Sequence, residues 1–70
     1  MTQRIDARGM RCPWPAIRLA KALREGGGQI EIHADDPAAK RELTLVAESA
    51  GARISTAGEG VYRVVRRAGD

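Results

Sequence analysis

The chemistry this chain can do gathers in one short segment, Gly9-Met10-Arg11-Cys12-Pro13-Trp14-Pro15. Cys12 is the one cysteine, placed where a loop passes into the helical pattern that starts at Pro13. Unused N–H groups and the dipole at a helix start favour an anion, and a thiol there shifts toward the nucleophilic thiolate. Arg11 beside it, with Arg8 and Arg18 close in sequence, pushes the same way. Pro13 and Pro15 moderate the effect because neither has an N–H to give the sulfur, so of the first helical positions only the Trp14 amide could point at it. Two helix starts are open: Cys12 as the cap with Pro13 first, or Trp14 as the cap with the helix beginning at Pro15. Either way the prolines stiffen the chain and hold the thiol at an open corner, where an incoming thiolate can attack a sulfur bound to it. The competing reading is that Cys12 packs as a small buried hydrophobe.

The elements that must position this segment are legible as patterns. Ile5 and Ala7 alternate with Arg4 and Asp6 in a first strand that ends before Gly9, and Ala16, Ile17, Ala20 and Leu23 predict a helix from Pro13 to about Glu25 that stops at Gly26-Gly27-Gly28. Gln29 to Ala34 reads as a strand with Ile30, Ile32 and Ala34 inward and Gln29, Glu31 and His33 outward. Asp36 as N-cap and Pro37 at the first helical position start a second helix, with Ala39, Leu43, Val46, Ala47 and Ala50 on one face and Gly51 at its end. A strand from Ala52 through Ile54 to Thr56, a turn at Gly58-Glu59-Gly60 and a strand from Val61 to Arg67 complete the chain. The fold class is therefore α/β, or α+β: a two-layer sandwich of order β-α-β-α-β-β, with a mixed four-stranded sheet and both helices on one face. The first two strands should run parallel and the last two antiparallel.

Seventy residues hold one domain, 1–70, and sixteen large apolar side chains fill one two-layer interface. That leaves little room for a buried cofactor, and none is expected. With a single cysteine a disulfide-stapled scaffold is excluded. One Cys and one His, 21 residues apart, give no metal-ligand spacing, so no metal is expected either. No signal-peptide core and no membrane span is visible, and a cytoplasmic protein is expected.

Charge is unevenly spread. Residues 1–24 carry six bases against Asp6, residues 25–60 seven acids against three bases, and the net charge is +3. Arg8, Arg11, Arg18 and Lys21, with Trp14 among them, form a candidate docking rim for an acidic partner surface. A nucleic-acid-binding module is the first alternative, suggested by a pI near 9.8 and ten arginines. Trp14 and Tyr62 as the only aromatics, and the acidic middle segment, argue against it. A redox-sensing thiol is the second alternative, since an exposed low-pKa cysteine is chemically suited to oxidation.

Asp6-Ala7-Arg8-Gly9-Met10-Arg11-Cys12-Pro13-Trp14-Pro15 resembles the signature of the TusA/SirA family of sulfur carriers, whose hallmark is a Cys-Pro-x-Pro motif after a short strand. Ala34-Asp35-Asp36-Pro37 resembles the family's second shared segment, and the resemblance spans essentially the whole chain. It implies a two-layer α/β sandwich in which Cys12 accepts a sulfane sulfur as a persulfide from a donor such as a cysteine desulfurase or rhodanese. The sulfur is then passed to an acceptor protein, with Pro13 and Pro15 orienting the site. Such a protein is a sulfurtransferase-type carrier rather than an autonomous enzyme. Trp14 stands where some members have an acidic residue and Met10 where leucine is usual, so donor and acceptor identities do not carry over. Neither does the choice among tRNA thiolation, molybdenum cofactor assembly and sulfur oxidation.

Overall fold

The computed structural model describes residues 2–11, 13–26 and 28–66. Cys12, around which the site was read, lies outside them, as does Arg67 at the expected end of the last strand. The elements are β1 (Thr2–Asp6), α1 (Trp14–Arg24), β2 (Gln29–His33), α2 (Ala39–Ser49), β3 (Ala52–Gly58) and β4 (Val61–Arg66). β1 pairs parallel with β2, placing Ile5 beside Ile32, and β3 and β4 form an antiparallel hairpin. β4 sits between β2 and β3, giving the sheet order β1-β2-β4-β3 with β1 and β3 at the edges.

Strand alternation sends Ile5, Ile30, Ile32 and Val64 to one face of this sheet, where Leu19 and Leu23 of α1 and Leu43 of α2 cover them. The expected two-layer α/β sandwich is thus the observed one, and Leu19, Ile30, Ile32, Leu43 and Val64 at its centre are fully buried. The other face presents Arg4, Glu31 and Arg63 in one cross-strand row. Arg4 and His33 both reach Glu31 Oε2, at 3.3 and 2.8 Å, and Arg63 lies 3.8 Å from Glu31 Oε1. The His33 contact, followed by Arg4, holds the Glu31 carboxyl below its ordinary value. Tyr62 packs toward the core, so this open face lacks its ring.

Both helices start differently from the sequence reading. α2 begins at Ala39: the Asp36 carboxylate accepts the Ala38 N–H at 2.8 Å and the Asp36 carbonyl accepts the Ala39 N–H at 2.9 Å. These bonds close a turn over Pro37 and Ala38, which puts Asp36 outside the helix rather than at its cap. α1 begins at Trp14 with Pro13 at the cap, neither of the two expected starts. Its buried face runs through Pro15, Ala16, Leu19, Ala22 and Leu23, which leaves Ile17 49% exposed rather than in the core. No helix among the described residues is long and apolar enough to cross a membrane.

Candidate functional site

The loop leading to Cys12 is held by three backbone amides. Ala7 N–H donates to the His33 carbonyl at 2.7 Å, extending the β1–β2 ladder, and Met10 N–H closes a turn onto the Ala7 carbonyl at 3.2 Å. Between them Gly9, at φ +82°, donates its N–H to Asp35 Oδ1 at 3.0 Å. That φ favours glycine, which has no Cβ to clash. The Asp35 loop is itself pinned, because Ala34 N–H donates to the Gly60 carbonyl at 2.9 Å. A Cβ on Gly60 would lie 2.9 Å from the Ala34 carbonyl oxygen, so the β3–β4 turn approaches this closely only with glycine there. The turn thus braces the loop carrying Asp35, and Asp35 braces the loop carrying Gly9.

Asp6 and Arg8 form a second clamp. The Arg8 guanidinium donates to both Asp6 carboxylate oxygens, at 2.9 and 3.0 Å, and the Arg8 amide adds a bond of 3.2 Å to Oδ1. The guanidinium bond is the main cause that lowers the Asp6 carboxyl from 3.8 to about 2. Arg8, expected in the docking rim, therefore has its charge matched by Asp6.

On the other side of Cys12, Pro13 is exposed at the cap of α1 and Pro15 is fully buried. Trp14 N–H, the one amide expected to be able to reach the sulfur, donates to the Arg11 carbonyl at 2.9 Å; the sulfur lies outside the described residues. Ile17 N–H then takes the Pro13 carbonyl at 3.0 Å. Arg11 is exposed, so both residues flanking Cys12 face water.

Trp14, 60% exposed, begins a stripe that continues through Ile17, Arg18 and Lys21 at helical spacing along α1. These four side chains line one groove with Gln3 and Ile5 of the edge strand β1. The structure therefore brings together Trp14, Arg18 and Lys21 of the expected rim; Arg8 and Arg11 do not line that groove. Ile17 and Asp35 were not among the expected site residues. Helical spacing from Trp14 could have flagged Ile17, whereas a hydrogen bond between residues 26 positions apart has no local signal. Among the described residues no cluster of His, Cys, Asp or Glu is placed to hold a metal ion.

A family model described as "Sulfurtransferase TusA" matches residues 3–67. The chain belongs to the TusA family. As a TusA-family chain it is 43% identical over 49 residues, 67% of its length, to a Bacillus subtilis protein named "Putative sulfur carrier protein YrkI". It is 39% identical over 51 residues, 70% of its length, to an Archaeoglobus fulgidus protein named "Putative sulfur carrier protein". The matches span 65% and 66% of those relatives, just under two thirds of each. Its fold matches the crystal structure of a SirA-like protein from Desulfitobacterium hafniense, with a TM-score of 0.73, 35% identity and full coverage of both chains. The resemblance read from the Cys-Pro-x-Pro segment is therefore the right family assignment.

Proposed function

We propose that this TusA-family chain is a cytoplasmic sulfur carrier in which Cys12 holds sulfane sulfur as a persulfide and relays it between two proteins. The single observation that carries the reading is the family match over residues 3–67, which includes the whole Cys-Pro-x-Pro motif. In the loading step the Cys12 thiolate attacks the terminal sulfur of a persulfide on a donor such as a cysteine desulfurase or rhodanese. A new S–S bond forms, the donor's S–S bond breaks, and the donor cysteine leaves as thiolate. Delivery repeats this with an acceptor thiolate attacking the Cys12 terminal sulfur and the Cys12 thiolate leaving. Each exchange is redox-neutral and needs no cofactor.

Three features of the chain support the division of labour. The two prolines and the braced Gly9 loop hold both flanks of Cys12 in place. Trp14 and Ile17 offer exposed apolar surface beside the motif, and Arg18 and Lys21 supply charge for an acidic partner. Arg11, exposed and next to Cys12 in the sequence, adds a cation to the motif, while Arg8 serves the loop through Asp6.

The test is cyanolysis after loading with cysteine desulfurase and cysteine. Carrier protein freed of donor should release thiocyanate, about one per chain. A Cys12→Ser variant that released as much would overturn the reading.

A further inference from the structure

A second groove, of about 560 Å³, runs between α1 and α2 on the helical side of the molecule. Its apolar lining is Ala20, Leu23, Leu45, Val46 and Ala50, and Leu45 is 53% exposed. Its charged residues separate by position. Glu42 lies in the first turn of α2, which follows the end of β2. Arg24 closes α1 just before β2 begins, and the Arg66 amide bonds the Gly28 carbonyl at that same start of β2. The groove therefore has an acidic end and a basic end with apolar surface between. Among the described residues, none of these three side chains has an ion-pair or hydrogen-bond partner.

This arrangement is complementary to itself. A two-fold axis across the groove would set Glu42 of one copy against Arg24 and Arg66 of the other, twice over. An isologous contact requires that residue i meets j while j meets i, and opposite charges at the two ends satisfy it. A partner of one charge sign would meet attraction at one end and repulsion at the other. We propose that this groove is the interface of a two-fold symmetric dimer of this chain. The contact uses none of Trp14, Ile17, Arg18 or Lys21, so both copies keep that stripe open, and the proposal stands independently of the carrier reading.

Sedimentation velocity on the full chain, from about 10 μM to about 1 mM, tests it across the affinities a small interface supports. The wild type should shift from monomer to dimer over this range. Glu42→Arg puts three cations together across the axis and should weaken the dimer by about tenfold or more, most at low salt. The triple variant Glu42→Arg, Arg24→Glu, Arg66→Glu exchanges the two ends and should restore dimerisation, with circular dichroism confirming that each variant is folded. A wild type monomeric throughout, a dimer indifferent to Leu45→Arg, or a folded triple variant that stays monomeric would each overturn the proposal.

Discussion

The Gly9 amide donates to the Asp35 carboxylate at 3.0 Å, joining the loop before Cys12 to the loop before α2 across 26 residues of chain. The segment resembling the family's second motif thus does structural work for the first. Asp36, next to it, closes the turn into α2, so the two adjacent aspartates serve different loops. Asp35→Ala should lower stability by about 0.5–1.5 kcal/mol, the usual net worth of one hydrogen bond, as read from the urea midpoint. Asp35→Asn keeps an acceptor oxygen in the same place and should recover most of the loss. Equal losses in the two variants would mean that the negative charge, rather than the bond to Gly9, is what matters.

Leu19 and Ile17 test the observed rotation of α1. Leu19 is fully buried between the helix and the sheet, so Leu19→Ala should cost about 2–5 kcal/mol. Ile17 stands half in water, and Ile17→Ala should cost less than about 1 kcal/mol while weakening partner binding. Chemical denaturation of both variants checks this, and a reversed order would restore the face expected from the sequence pattern.

Acid should act on the Asp6–Arg8 clamp. Asp6 titrates at about 2 in the folded chain against an ordinary 3.8, so the native state favours its ionised form. The stability this contributes is complete above the ordinary value and is lost as pH falls through about 2, and the lowered Glu31 acts in the same direction. Urea midpoints should therefore drop between about pH 5 and pH 2. In Asp6→Asn the drop should be shallower; an unchanged profile would remove Asp6 as a contributor.

Arg18 and Lys21 carry the docking prediction. Reversing both to Glu should slow loading from an acidic donor by about tenfold at low salt and much less at high salt, because long-range steering is screened. Measured loading rates at two ionic strengths decide it. Arg8→Gln should change the rate far less, since Asp6 already matches that charge.

Much of the fold was legible because its signals are local. Alternation of Ile30, Ile32 and Ala34, and glycine stops after Arg24 and Ala50, mark elements whichever way they pack. The phase of α1 was not, because Ala16, Ala20 and Ala22 weigh almost nothing in a hydrophobic pattern and Ile17 outweighs them. Where α2 begins depended on whether the Asp36 carboxylate caps a helix or closes a turn, and the same residue types serve both. Within the site, the Cys-Pro-x-Pro segment stood out on chemistry alone. Engagement of the Trp14 amide by Arg11, of Arg8 by Asp6 and of Gly9 by Asp35 depended on how the chain folds back on itself.

Intact mass spectrometry of the carrier after incubation with a cysteine desulfurase, cysteine and pyridoxal phosphate tests the central claim most directly. Wild-type protein should gain the mass of one sulfur atom, lose it on treatment with a thiol reductant, and show no gain as Cys12→Ser. No added sulfur on the wild type, or the same gain on Cys12→Ser, would contradict the assignment of Cys12 as the sulfur-bearing residue.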